Sequence, residues 1–445
     1  MKKFFYLYTF LLIFILALGG CKKETNMEPP VANTGSADFS KFVTIGNSIT
    51  AGYQSGALYN SAQIYSFGNL IAKQVKVDFQ QPLFSDPGTG DRMELTNFTT
   101  AGDPVIINNP NRGIPLNISY ATPYNNLGIP GAFLYDVLNA TNKDNCFTKV
   151  NGASANPLFD VILRNSALNI GSQFQQAKAL KATFVTLWIG NNDILGHATS
   201  GGVVPYTPVA NFQALYSMTL DSLATLGAKV VVANIPDVSS VPFLTTVGPL
   251  LRKKGYPASV YIQNSNNEVV LASLASNYIT LRAAELIIDP AIGNPTGIGT
   301  LPSKPFPNDV VLDSAEATTV SGVIAQYNAA ISSMAAVKGF GIVDMNAIFK
   351  AFKQNDASGG TVIDGITFKT DYISGGLFSL DGVHPSSRGQ GIIANEFIKV
   401  INVKFGANIS QVYLPSIPTL LAKEIQKDSF GFPVLSKDTF KNLQF

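Results

Sequence analysis

The sequence predicts an α/β protein, a three-layer α/β/α sandwich on a mainly parallel sheet with long loop insertions. Three observations predict it. Four short, almost continuously apolar runs recur along the chain, as parallel strands covered on both faces require. Between them stand longer segments whose apolar residues return at three-and-four spacing, the mark of a helix with one buried side. Two further stretches follow neither period and are rich in Pro, Gly and Asn.

The first apolar run, Phe42 to Ile45, leads at once into Gly46-Asn47-Ser48-Ile49-Thr50, a serine placed where a strand turns into a helix. A second helix is expected to open near Gly131 and run to Ala140, and a third spans Leu158 to Ala182, ahead of the second strand, Phe184 to Ile189. Pro208 to Leu226 is helical in period and precedes the third strand, Lys229 to Ala233. Ala315 to Val337, Ala-rich and periodic, precedes the fourth, Gly341 to Val343. The last helix, Ser386 to Phe405, opens on a Ser-Ser cap. Strand alternating with helix packs as helices on both faces of one sheet. The aperiodic stretches, Lys76 to Tyr124 and Ser239 to Val310, are too long to be plain connections; such insertions are substrate walls, a lid, or additions packed on the core. With no second linker, repeat or low-complexity block, residues 39–445 are expected to form one enlarged domain.

Residues 1–20 read as a secretory signal: Met1-Lys2-Lys3, an apolar core from Phe4 to Leu18, then Gly19-Gly20. Leu18-Gly19-Gly20-Cys21 resembles a bacterial lipobox, which implies cleavage before Cys21 and a lipid anchor on it. Lys22 is not the Asp associated with inner-membrane retention, so an exported, outer-membrane location is expected. Residues 21–38 are polar, with Pro29, Pro30 and Gly35, and are expected to be a flexible tether. Cys146 is the second of two cysteines, which excludes a disulfide framework and leaves it as a small buried or loop thiol. Removing Lys2 and Lys3 with the signal leaves 29 of the 31 basic residues against 29 acidic ones. At zero formal charge, a nucleic-acid partner has no electrostatic support. Only 13% of residues are charged and mean hydropathy is positive, composition that suits work beside a membrane or on apolar substrates as well as a large core.

Acyl transfer by serine needs a hydroxyl, a base to take its proton, a group that orients the base, and donors for the oxyanion. The chain has only two histidines. His384 follows Asp381 by three residues in Asp381-Gly382-Val383-His384, where a tight turn can return the carboxylate to one ring nitrogen and leave the other facing Ser48. His197, in Leu195-Gly196-His197, has no carboxylate at similar spacing and reads as a loop residue able to contact substrate. In Asn126-Leu127-Gly128-Ile129-Pro130-Gly131, Gly131 lets a backbone amide approach a reacting carbonyl, while Gly128 reads as a turn residue. In Gly190-Asn191-Asn192-Asp193, after a buried strand, the side-chain amide of Asn192 supplies a second fixed donor.

Taken in order, these motifs resemble the blocks of the SGNH, or GDSL, hydrolase superfamily, over Phe42 to about Phe405. The resemblance implies a flavodoxin-like fold and a set of roles: Ser48 as nucleophile and oxyanion donor, Gly131 and Asn192 as further donors, Asp381 and His384 completing the triad, and no metal or organic cofactor. One departure stands out, for the family usually reads Gly-Asp-Ser and here Asn47 takes the acid's place. Asn234-Ile235-Pro236-Asp237 is similar to a Pro-containing loop of larger lipase-like members, which points to acyl lipids or simple carboxylic esters. The expected activity is that of a lipid-anchored serine esterase or lipase. Its rivals are a carbohydrate esterase that removes acetyl groups from glycans and a catalytically silent binding lipoprotein, against which the joint presence of Ser48, Asn192, Asp381 and His384 argues.

Overall fold

All four apolar runs become strands of one sheet: β1 (Phe42–Gly46), β2 (Phe184–Trp188), β3 (Lys229–Ala233) and β4 (Gly341–Val343), parallel throughout and in the spatial order β1-β2-β3-β4. The computed structural model describes residues 32–100, 102–287, 296–419, 431–435 and 438–440; the expected signal and Cys21 lie outside the described residues. Phe42 stands opposite Phe184 and Gly46 opposite Trp188, and every residue of β1 and β2 is buried, which is why these runs carry no polar alternation. Residues 125–129 extend the sheet alongside β1: the Leu127 amide donates to the Thr44 carbonyl at 2.9 Å and the Ile129 amide to Gly46 at 3.1 Å.

Eight helices position the site and its supports: α1 (Ser48–Ala51), α2 (Phe67–Val75), α3 (Gln173–Ala179), α4 (Asn192–Thr199), α5 (Val209–Ala224), α6 (Ser314–Val337), α7 (Met345–Asn355) and α8 (Ser387–Phe405). The steps from β2 to β3 and from β3 to β4 run in one direction, so right-handed crossover puts α5 and α6 on one face; Phe212 and Tyr327 stack between them at 3.7 Å. On the other face α2 meets α8 through stacked Phe67 and Phe397. α6 starts on a full capping box, with Asp313 and Glu316 each binding the other's backbone amide. Among the described residues no helix is long and apolar enough to cross a membrane.

The expected helix over 158–182 is broken into three pieces, Leu158–Leu163, Asn165–Leu168 and α3. Arg164 and Asn169 adopt φ of 50° and 49°, outside the right-handed helical region. The cause is side-chain competition for backbone partners. Arg164 donates to the carbonyls of Ile118, Tyr120 and Thr122 and lies 3.9 Å from the centre of the Tyr124 ring, while the Asn165 side-chain oxygen, Oδ1, accepts the amides of Ile170 and Gly171. Only the first fragment keeps an apolar side inward, through Phe159, Ile162 and Leu163; the second buries no residue, and α3 buries Gln173, Gln176 and Ala177.

Both insertions are locally structured. The first holds an antiparallel hairpin, Arg92–Phe98 with Pro104–Asn109, joined by Val434–Leu435. The second holds three short α-helices among the described residues, Pro242–Thr245, Val247–Lys253 and Ala284–Ile287, a hairpin of Ser259–Gln263 with Val269–Ser273, and a strand, Tyr278–Ile279, that pairs with Val311–Leu312. The end of the expected tether is not free of the body: Asn33 bridges to Asn408, the Ser36 amide donates to the Phe405 carbonyl at 2.9 Å, and Ala37 is buried. Cys146 is a buried free thiol that donates to the Lys143 carbonyl.

Candidate active site

At the carboxyl end of β1 the backbone turns through Gly46 because nothing larger fits. A Cβ there would stand 2.2 Å from the Thr50 hydroxyl and 2.4 Å from the Trp188 carbonyl. Asn47 caps α1, its side-chain oxygen accepting the Ile49 amide at 3.2 Å, so the turn keeps a capping bond without the carboxylate of the Gly-Asp-Ser pattern. Ser48 follows as the first residue of α1, with its hydroxyl 2.8 Å from Nε2 of His384. On the far side of the imidazole, Nδ1 lies 3.0 Å from Oδ2 of Asp381.

Asp381 is wholly buried. Its Oδ1 accepts the amides of Val383 and His384 at 2.9 and 2.8 Å, and its Oδ2 also accepts the Gly56 amide at 3.2 Å. Burial on its own raises a carboxyl pKa, but the imidazole of His384 and these amide donors outweigh it and hold Asp381 below the ordinary carboxylate value. The Tyr53 ring packs 4.8 Å from the His384 ring, and Ser55 clasps the neighbouring stretch of chain, its amide donating to the Ser379 hydroxyl while its own hydroxyl accepts the Leu380 amide. The arrangement can move a proton from the Ser48 hydroxyl to Nε2 while a buried anion faces the resulting imidazolium.

The second motif meets the third beside these three side chains. Gly128 is required by its close approach to α1, since a Cβ would fall 2.4 Å from the Ala51 nitrogen. Asn126 donates to the Thr50 carbonyl at 2.8 Å, and Gln173 bridges the carbonyls of Gly46 and Leu127. Gly131 does not open a helix: its φ is 78°, and the helix of this segment is confined to Asp136–Asn139. Asp136 instead takes up the Phe133 amide at 2.8 Å and the Phe147 amide at 2.6 Å, while Asp193 takes the Leu134 amide at 2.9 Å and the Thr207 hydroxyl at 2.8 Å. Asn192, buried at the start of α4, donates to the Ala132 carbonyl at 2.8 Å, which leaves its second N–H for another acceptor.

Burial pushes Asp136 up to about 7 and Asp193 up to about 6; the amide bonds to each pull the other way, and the charge of Asp193 adds to the rise at Asp136. Sequence reasoning assigned no part to either acid, nor to Tyr53 and Ser55. For Asp136 a signal was present, a lone acid inside the apolar stretch Phe133-Leu134-Tyr135-Asp136-Val137-Leu138.

Ser48, Asn192 and His384 line one cavity whose remaining walls are largely apolar, with Leu195 from α4, Ile235, Val238 and Val241 from the chain after β3, Phe349 from α7, and Phe378. The second insertion thus contributes Val241 to the wall. The first insertion instead reaches Ser55, the Met93 amide donating to its carbonyl at 2.7 Å. His197 lies on α4 rather than on a loop, its Nδ1 bound to the Val204 carbonyl at 2.8 Å.

No curated protein matches the chain. Solved structures similar to it include an acetyl xylan esterase, AlAXEase, at 14% identity over 80% of this chain and 98% of that one, with a TM-score of 0.32. Another is LAE5, an alpha/beta hydrolase enzyme from the metagenome of Lake Arreo, Spain, at 11% identity over 82% and 96% with a TM-score of 0.35. A third is a mutant of Axe2, an acetyl-xylooligosaccharide esterase from Geobacillus stearmophilus, at 13% identity over 82% and 95% with a TM-score of 0.34. The family model for GDSL-like lipase/acylhydrolase matches residues 42–397, from the first residue of β1 into α8. The chain therefore belongs to the GDSL-like lipase/acylhydrolase family and is an ester-hydrolysing serine hydrolase.

Proposed function

We propose that the protein cleaves carboxylic esters of acids bearing an apolar chain, through an acyl-enzyme at Ser48. The observation that carries this reading is the buried sequence of hydrogen bonds from Ser48 through His384 to Asp381, at 2.8 and 3.0 Å, opening onto an apolar cavity. The Ser48 oxygen attacks the ester carbonyl as its proton passes to Nε2 of His384. The oxyanion that forms takes donors from the amides of Ser48 and Gly131 and from the Asn192 side chain. Collapse returns the proton to the departing alkoxide, so an alcohol leaves and the acyl group stays on Ser48. Water then repeats the sequence and releases the acid.

The walls of Leu195, Val238, Val241, Phe349 and Phe378 support an acyl chain of several carbons over an acetyl group, because each buried methylene contributes about 0.8 kcal/mol. A fluorophosphonate probe and a series of short and long acyl nitrophenyl esters, run beside acetylated xylan, test the reading. Modification at Ser48 and rates that rise with chain length are expected. Folded protein that fails to label at Ser48 refutes the nucleophile, and turnover confined to acetylated xylan refutes the acyl preference. Cys21 we read as the lipidated residue that holds the protein to the outer membrane; incorporation of labelled palmitate, abolished by Cys21→Ser, checks it.

A further inference from the structure

The catalytic residues gather where the strands end. Where they begin, the chemistry is different. Lys41 precedes β1, Lys181 precedes β2, Lys229 opens β3 and Lys338 precedes β4, with Lys178 and Lys404 beside them near the ends of α3 and α8; all six are exposed. Backbone bonds hold the group together: the Thr183 amide donates to the Lys41 carbonyl, the Lys229 amide to the Thr183 carbonyl, and the Ser36 amide to the carbonyl of Phe405, next to Lys404. Between them opens a cleft of about 390 Å³ lined by Lys178, Lys181, Lys229, Ser36 and Asp38.

Helix ends account for some of this charge, since Lys178, Lys338 and Lys404 sit where helix dipoles are negative. Lys41 and Lys229 stand at strand starts and have no such duty. Of these lysines only Lys338 has an ion-pair partner among the described residues, Asp221. Asp38, the one acid in the cleft, has an oxygen occupied by the Ser40 amide, which keeps its pKa below the ordinary value. A body of zero formal charge after signal removal thus concentrates positive charge on the end opposite Ser48.

The chain leading to Cys21 joins the body at this same end, since Asn33 is paired with Asn408 and Ser36 lines the cleft. Whatever its conformation, the link from Cys21 to Ala32 spans at most about 35 Å, given about 3.3 Å per residue. A domain of this length is roughly 50 Å across, so an anchor at Cys21 keeps the strand-starting end nearest the membrane.

We propose that this end is a docking face for an anionic lipid surface, with phosphate headgroups received by Lys178, Lys181 and Lys229. The orientation rests on the lipidation of Cys21; the lipid binding does not. Docked this way, Ser48 opens away from the anchoring bilayer, toward esters that arrive from outside.

The test uses the full chain carrying Cys21→Ser, so that no acyl anchor contributes, sedimented with vesicles of phosphatidylglycerol and phosphatidylethanolamine or of phosphatidylcholine alone. Binding to the anionic vesicles that weakens with added salt is expected. At roughly 1 kcal/mol per lysine, the triple change Lys178→Gln, Lys181→Gln, Lys229→Gln lowers it about a hundredfold, while hydrolysis of a soluble nitrophenyl ester is unchanged. Equal binding to both vesicle types, or a triple variant that binds like its parent, overturns the proposal. So does protection of these lysines from amine modification by inorganic phosphate without any vesicle binding, which would reassign the cleft to a soluble anion. Loss of palmitate labelling at Cys21 leaves this vesicle result unaffected, so the two readings fail separately.

Discussion

The carbonyl of Gly382 accepts the amide of Phe243 at 2.9 Å, and so the second insertion is fastened to the loop that carries both Asp381 and His384. Gly382 has φ 74°, and a Cβ on it would lie 2.6 Å from Leu281 and 3.1 Å from the Phe243 nitrogen. The insertion therefore supports the loop that carries His384 as well as giving Val241 to the cavity wall.

Gly382→Ala should lower kcat by one to two orders of magnitude with little change in KM, because the strained loop shifts His384 relative to Ser48 by a fraction of an ångström. A change confined to thermal stability, with kcat intact, would show that the loop relaxes without moving the base.

Asp381→Asn should cost about 10⁴ in kcat while leaving Ser48 and His384 in place, as the amide favours the wrong tautomer of the ring. Steady-state kinetics on one nitrophenyl ester measure it.

Asn192→Ala should cost about 10²–10³ in kcat, the range for loss of one oxyanion donor. Because Asn192 also holds the Ala132 carbonyl, the turn at Gly131 loosens with it. Tight binding of a neutral ground-state analogue should survive, and calorimetry separates the two effects.

Asp136 and Asp193 predict a pH window for stability. Both are raised in the folded protein, to about 7 and about 6, above an unfolded value of about 3.9. The native state then holds the proton more tightly than the unfolded chain, so the stability they supply is complete below about pH 4 and is lost as the pH climbs to about 7. Asp381 runs the other way, its contribution present above the ordinary carboxyl range and lost only at more acid pH. Melting temperatures from pH 4 to 8 should fall more steeply for the parent than for Asp136→Asn; parallel curves would refute the shift.

Val241→Trp fills the apolar wall from the second insertion. It should shift preference toward short acyl chains by about tenfold per few methylenes lost from contact, read from the ratio of kcat/KM on long and short esters.

The strands were legible because each is short, fully buried and therefore apolar without interruption, as Phe42–Gly46 and Phe184–Trp188 show. Ser48, Asn192, Asp381 and His384 were legible because each sits in a short local motif that the chain brings together. What escaped was set by contacts distant in sequence. Arg164 leaves helical geometry for carbonyls more than forty residues upstream, and the turn at Gly131 is shaped by Asp193, fifty-nine residues from the Leu134 amide it accepts. No local period records such bonds.

Ser48 and His384 touch across 336 residues of chain. A polypeptide released before residue 384 carries the Ser48 hydroxyl without the imidazole that faces it. The contact therefore cannot form until residue 384 has been made, however early Ser48 is in place.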